Sequence, residues 1–507
     1  MKSSEPTPVT GADRFSDIPA WVASAWIVGL LLFTVAGRIT FPYDLEWMEG
    51  GVLLHAWRVF HGEGIYVQPS SEFIPFIYPP LYHWLVAGLG KVFGFGYPVA
   101  RAISIVGTFI AAGCAVAAAR MEGVRWGLAI AAAGLYLSGY EDSGAFFDLT
   151  RIDGLFMALT TGALVAGRAS AWRAAGILLT LAFATKHNAA MFGLPILIWA
   201  YREHGRAAAV RFAQWSVIPA LLFTVLTTAL EGDGLFLTYI LGVPGTHGFV
   251  PKRFFWTAHR EAFQALPITT AALVGWGCWL TVQRKRSGSF RLTPGGRYWL
   301  WNGALAVFLS ALMRGHQGGF LNVLMPSLWA LSVGGVITFE RIRQRTGSRA
   351  LVWLLPLVLA GQLATEDWNP DRFRASAEDH EAGERLVEAV AEIDGEVLAP
   401  WSPWVAVQAG KKPYFHLIGL WDIDHKYGVL TEYVADIRAD VEAHHWTAIL
   451  VMDERKPPPG VKKVYRRGKP VVPGGPMLKP KTGWRVRPRN FWIPKPTSER
   501  QPDAPKL

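Results

Sequence analysis

The sequence predicts a polytopic α-helical membrane protein with a small α/β domain at its C-terminal end. Three observations predict it. Of 507 residues, 51% are hydrophobic and only 18% are charged, against about 25% charged in soluble domains. Mean hydropathy is +0.22. Apolar runs of helical length recur between residues 20 and 365 and then give way to amphipathic patterns.

Eleven spans are expected, at 20–38, 98–119, 125–140, 152–168, 173–185, 189–201, 212–230, 264–283, 298–313, 320–339 and 351–365. Several are shorter than the roughly 17–25 residues of an ordinary span and must tilt or shelter behind neighbours. The polar segment 1–19 lacks a small-residue cleavage site after the first run, so 20–38 is expected to stay as a membrane helix rather than leave as a signal peptide. Residues 79–94 read either as a twelfth span or as a helix lying at the interface.

Charge decides between these two readings. With eleven spans, the loops 120–125, 168–173, 202–211, 284–297 and 341–349 share one side, and they are crowded with Arg and Lys. The opposite short loops carry only Arg151, Lys186, Lys252, Arg253, Arg260 and Arg314. The crowded side is cytoplasmic by the positive-inside rule. The outer face then receives 39–97, 141–151, 186–188, 231–263 and everything from 366 onward. Cys114 and Cys278 both lie in apolar runs and read as small hydrophobes, with no disulfide framework or cysteine zinc site.

Residues 366–453 alternate helix and strand signals. "SAEDHEAGERLVEAVAEIDG" and "LTEYVADIRADVEAHHW" read as amphipathic helices, "EVLAP" and "TAILVMD" as strands. From 454 to 507 the chain is Pro-rich, with 15 Lys/Arg against 3 Asp/Glu. This tail is expected to be irregular, or to lie on anionic headgroups or an acidic glycan. Its outer location argues against nucleic acid as a partner.

The chemistry concentrates where the first span exits. "FPYDLEWMEGG" sets Asp44, Glu46 and Glu49 among aromatics at a membrane surface. A carboxylate partly desolvated there has a raised pKa and accepts a proton more readily. Asp44 is the expected general base. Glu46 and Glu49 are candidates for orienting it, for binding substrate hydroxyls, or for holding a divalent metal with it. The bland alternative is solvated acids at a helix exit. "GGVLLHAWRVFHGEGIYV" reads as an amphipathic surface helix, and "YPPL" at Tyr78 opens another, with prolines where no amide donor is needed.

An outer acidic motif after the first span, a surface helix and then "YPPL" resembles the GT-C superfamily of polyprenyl-phosphate-dependent glycosyltransferases. The branch it resembles is the protein O-mannosyltransferase and aminoarabinose transferase type, glycosyltransferase family 39-like. Further motifs follow in order over residues 20–365. "FFDLTRIDGLFMAL" resembles the family's R-x-D entry to a span, which implies Arg151 and Asp153 at the mouth of the site. "LAFATKHNAAMFGLP" resembles its basic turn, which implies Lys186, assisted by His187, on the carrier phosphate. "MRGHQGGFLNVLMPSLWALS" resembles its late helix, with Arg314, His316 and Asn322 as weaker candidates. In the basic loop "GVPGTHGFVPKRFFWTAHREAF", His247, Lys252, Arg253 and His259 are candidates for donor binding or gating, against a simple headgroup-facing loop.

The resemblance implies a polyprenyl-phosphate sugar as donor, an acceptor hydroxyl on a glycan, lipid or protein, and a site facing away from the cytoplasm, as in a bacterial inner membrane. It implies in-line attack with inversion, Asp44 as base, and Arg151 and Lys186 on the phosphate. No nucleotide motif is present. No cofactor is required by this reading, with a divalent cation left open. Two other classes also fit the spans: a transporter or flippase of lipid-linked sugars, and a non-catalytic assembly subunit.

Overall fold

The structure is a computed structural model that describes residues 15–287, 292–346 and 348–496. Its helices run α1 (Ile18–Ala36), α2 (Glu49–Phe60), α3 (Leu81–Phe93), α4 (Tyr97–Met121), α5 (Trp126–Ser138), α6 (Asp153–Arg168), α7 (Trp172–Thr185), α8 (Gly193–His204) and α9 (Arg206–Leu230). After these come Pro267–Ser287, Pro294–Gly315, Met325–Thr346 and Arg349–Thr365. A helix therefore stands at each expected span. Among the described residues, five helices are long and apolar enough to cross a membrane, and a sixth if the pair Arg253–Ala265 and Pro267–Arg286, bent by 111°, is one broken span. α5 and α7 are apolar but only 13 and 14 residues long. α5 is almost wholly buried among its neighbours, as a span too short for the bilayer requires. On α9, Leu221, Leu222, Val225 and Leu226 are each more than half exposed, an apolar face that a bilayer covers. α3 has 13 residues, buries Tyr82, His83 and Val86, and exposes Val92 and Phe93. Its exposed apolar residues lie at its C-terminal end, and its buried ones face the protein.

α4 is the element on which the outer loops hang. Tyr97, Arg101, Ser104 and Thr108 follow at intervals of four, three and four, so they share one helix face. The Ser104 hydroxyl donates to the Arg151 carbonyl at 2.8 Å, and the Thr108 hydroxyl to the Phe147 carbonyl at 2.8 Å. Between them α4 meets α6 backbone to backbone. A Cβ on Gly107 would sit 2.5 Å from the Gly154 carbonyl oxygen, and one on Gly154 would sit 2.4 Å from that of Ser104. Only glycine permits this approach, and it brings Arg151 and Asp153 against the α4 stripe.

Arg101 is fully buried and spends all five of its donors. Two go to the Glu49 carboxylate, at 3.0 and 2.8 Å, and three to the carbonyls of Arg38, Phe41 and Tyr43. Glu49 also accepts from the amides of Thr150 and Leu45. A second buried pair, Arg38 with Asp148 at 2.6 Å, ties the end of α1 to the loop before α6.

The C-terminal region forms a four-stranded sheet of order β1-β2-β4-β3, with β1 Val397–Leu398, β2 Ala448–Val451, β3 Tyr465–Pro470 and β4 Asn490–Pro494. β1 and β2 pair in parallel around intervening helices, and the other pairings are antiparallel. The helices Ala377–Ala391 and Tyr433–Glu442 and strands β1 and β2 stand where the sequence put them. The boundary at 454 does not hold. β3 and β4 come from the segment read as an irregular tail, and β4 inserts between β2 and β3. The alternation that marks β3 is short: Tyr465 is buried while Arg466 and Arg467 are exposed. The flanking prolines, which end strands as readily as they mark loops, hid it. Residues 497–507 of that tail and 1–14 of the N-terminal segment lie outside the described residues.

Arg101→Leu strands a buried carboxylate and should lower stability by about 3–5 kcal/mol. Lys412→Met, which breaks the exposed pair with Glu72, should change it by less than about 1 kcal/mol. Thermal unfolding of the detergent-solubilised protein measures both.

Candidate active site

The loop between α1 and α2 is turned inward by Arg101, and its three acids meet different partners. Glu49 is the anchor. Burial would raise its pKa, but Arg101 and the two amides outweigh burial and hold it below the ordinary glutamate range. Its lone pairs are occupied, so Glu49 positions the motif and has none to offer a substrate or a metal. That role differs from the one the sequence suggested, because Arg101 lies in an apolar run and was read only as part of a span.

Asp44 is 4% exposed. Tyr97 donates to its Oδ1 at 2.7 Å, and Ser402, from the C-terminal region, donates to its Oδ2. Burial pushes the carboxyl up to about 7 against these two hydroxyls. No cation is among the groups that shift it. Glu46 is also pushed up to about 7 by burial, opposed by Arg151, whose guanidinium stands 3.3 Å from Oε2. Both acids therefore sit near the pH at which a carboxylate exchanges protons most readily.

Arg151 lies over the Phe146 ring at 5.4 Å, and its buried Nε has no partner among the described residues. Lys186 has extended backbone at the break after α7, and its ammonium meets Asp153 Oδ1 at 3.0 Å. Asn322 donates to the other oxygen of Asp153 at 3.0 Å. The buried phenol of Tyr78 joins these groups. Burial raises its pKa, the charges of Arg151 and Lys186 oppose that rise, and Asp153 and Asp422 add to it. Acids and cations from residues 44 to 322 thus share one cluster.

Two spaces flank residues 320–323. One, lined by Asp153, Lys186, Asn322 and Val323, is closed down to about 10 Å³, roughly one water. The other is a cleft of about 400 Å³ lined by Gly144, Phe320, Arg372 and Lys481–Gly483, among others. The Lys481 amide donates to the Leu45 carbonyl at 2.8 Å, and Thr482 bridges to Glu46, so the segment that lines one edge of the cleft is joined to the acid motif.

Some candidates fall elsewhere. Arg314 is consumed by a bidentate pair with Glu261, both distances 2.8 Å, and by the Gly319 carbonyl. His316 contacts the carbonyls of Pro244 and Gln317, and its ring packs 5.0 Å from that of His247. The side chains of Lys252 and His259 are exposed, that of Arg253 is half-buried, and none contacts the acids. His187 is adjacent to Lys186, with a buried Nδ1 lacking a described partner. Among the described residues no cluster of three His, Cys, Asp or Glu has metal-binding geometry. The oxygens of Asp44, Glu46 and Glu49 turn to hydroxyls, to Arg151 and to Arg101 rather than to a common point. The sequence reading missed Tyr97, Arg101 and Ser402. A Tyr and an Arg one turn apart within an apolar run were the available signal for the first two.

Lys186→Met leaves Asp153 without its cation and should destabilise by about 3–5 kcal/mol. The double variant with Asp153→Asn should recover much of that, which a double-mutant cycle of thermal unfolding measures.

Residues 76–258 match the model of Glycosyltransferase family 87. No curated protein matches the chain. Among solved structures, ArnT from Cupriavidus metallidurans in the apo state superposes with a TM-score of 0.55 at 12% identity, over 95% of this chain and 99% of that one. The same protein bound to undecaprenyl phosphate gives 0.51 at 11% identity, over 95% and 100%. At such identity the likeness is one of fold. It agrees with the superfamily the motifs resembled, and the matching segment carries the number 87. Over residues 76–258 the chain is thus similar to Glycosyltransferase family 87, and along almost its whole length its fold is similar to that of ArnT.

Proposed function

We propose that the protein moves a sugar from a polyprenyl-phosphate donor to an acceptor hydroxyl, with inversion, at a site on the extracytoplasmic face of a bacterial inner membrane. The observation that carries this reading is the cluster just described. Proton-accepting carboxyls near neutrality stand beside an arginine and a lysine that a phosphate would engage, and the buried Nε of Arg151 lacks a partner. The ArnT structure with undecaprenyl phosphate supports the class of donor.

In the reaction, an acceptor hydroxyl gives its proton to a carboxylate as its oxygen attacks the anomeric carbon. The bond from that carbon to the phosphate oxygen breaks on the opposite side. The polyprenyl phosphate leaves as an anion, so it needs cations rather than a strong acid. In-line displacement keeps the base and the phosphate cations on opposite sides of the sugar. Glu46 touches Arg151 and belongs to the phosphate side, where it aims the guanidinium. Asp44 forms no ion pair among the described residues and already receives a hydroxyl, that of Ser402, at the place an acceptor hydroxyl would take. Asp44 is accordingly the base, Tyr97 its orienting partner, and Lys186, held by Asp153 and Asn322, the second phosphate ligand.

Asp44→Asn should lower transfer from a radiolabelled polyprenyl-phosphate sugar by about 100-fold or more, with normal membrane levels. Turnover at the wild-type rate in this variant refutes the assignment. The wild-type rate should rise with pH through about 7, as Asp44 ionises. Ser402→Ala removes a donor that stabilises the carboxylate, so this limb should move to higher pH in a kcat/KM profile.

A further inference from the structure

The short helix Leu417–Ile423 of the C-terminal region carries an acid that the mechanism leaves unused. It is wedged against the catalytic loops. His416, which caps it, packs its ring 5.0 Å from Trp47 and contacts the Trp47 carbonyl at 3.0 Å. Gly419 lies against Ile74, where a Cβ would come within 3.0 Å of the Ile74 carbonyl oxygen. Trp421 packs on both Trp47 and Trp484, at 5.9 and 5.5 Å. These contacts fix the helix on the acid motif and on the segment leading to Tyr78, and Asp422 follows at its end.

Asp422 is enclosed by protein, yet its side chain keeps 14% of its surface accessible. The nearest nitrogen, His247 Nε2, stands 3.7 Å from Oδ1 and donates instead to the carbonyl of Asp422, at 3.0 Å. Burial holds that histidine down to about 4, so it carries no charge to offer. Burial alone pushes the Asp422 carboxyl up to about 8. Among the described residues no group donates a hydrogen bond to this partly accessible carboxylate, which leaves its oxygens open to the donors of a ligand. With Gly419 on Ile74 and Trp421 on Trp47, the helix sets Asp422 beside the acid motif and the segment leading to Tyr78, a tyrosine on which the charges of Asp422, Arg151, Lys186 and Asp153 all act. On the far side of Tyr78 stand cations suited to a phosphate. On this side stand an acid, a neutral histidine and aromatic rings, which suit a hydroxylated ring.

We propose that Asp422 binds hydroxyls of the sugar that adjoins the donor phosphate, so that the C-terminal region selects which sugar is transferred. This rests on the phosphate reading of Arg151 and Lys186 given above. Binding to the full chain in nanodiscs tests it, with bare undecaprenyl phosphate and a panel of undecaprenyl phosphoryl glucose, mannose and arabinose as probes. The wild type should bind at least one sugar-bearing lipid more tightly than the bare carrier. Asp422→Asn should narrow that preference about tenfold while leaving bare-carrier affinity unchanged, and Asp422→Glu should restore part of it. Lys186→Met should weaken bare carrier and sugar lipid alike. The inference alone is overturned if the preference is absent in the wild type, survives Asp422→Asn, or is lost there only in parallel with carrier binding. A wild type that binds neither carrier nor sugar lipid overturns the phosphate reading, and this inference with it.

Discussion

The guanidinium of Arg101 fixes the loop that carries the acid motif. It sits on a membrane helix, fully buried, and all five of its donors go to one short loop. Three of those bonds bend the backbone from Arg38 to Tyr43, and two seize Glu49, the first residue of α2. A loop whose carbonyls are drawn onto one cation cannot extend into water. Asp44 and Glu46, which lie between the anchored points, are thereby held inside the protein and lose solvent. Their raised pKa values follow from that confinement rather than from any special chemistry of their own.

The same helix organises the opposite charges. Ser104 holds the carbonyl of Arg151, and the Gly107–Gly154 contact sets the height of α6, so the Arg-x-Asp pair arrives level with the acid motif. Asp153 is then shared between Lys186 and Asn322, which come from segments separated by more than a hundred residues. Each cation is neutralised locally by a carboxylate, so the cluster is stable while empty. Each also retains contacts that a polyanionic ligand can replace. The cluster is therefore preorganised in charge and nearly closed in volume beside Lys186, with a polar cleft on the far side of residues 320–323.

The C-terminal region is part of this arrangement and not an appendage to it. Ser402 reaches Asp44 across 358 positions, the backbone at 481–482 pairs with Leu45 and Glu46, and the helix bearing Asp422 is seated on Trp47. A sheet that uses two strands from the Pro-rich segment gives these contacts a rigid support. The positive charge of that segment is partly engaged within the fold, as Lys481 with Asp379 and Arg467 with Glu454 illustrate.

The sequence by itself determined the helical positions and the residue types of the site. These are local properties. Apolar run length, helix-breaking pairs such as Pro79-Pro80, and acids or basic residues at the ends of runs are all readable within a window of some twenty residues. It also brought Asp44, Glu46, Arg151, Asp153, Lys186 and Asn322 forward as candidates, and these are the residues that cluster. Only the tertiary structure decided that Glu49 anchors rather than reacts, that Arg314 is spent on Glu261, and that Lys252 and His259 face outward. It alone brought in Tyr97, Arg101, Ser402 and Asp422. The reason is that a charged group's role depends on which partner desolvates or neutralises it, and those partners lie up to hundreds of positions away. Sequence periodicity records which face of a helix is apolar, but it carries no record of which distant group packing will bring to a given carboxylate.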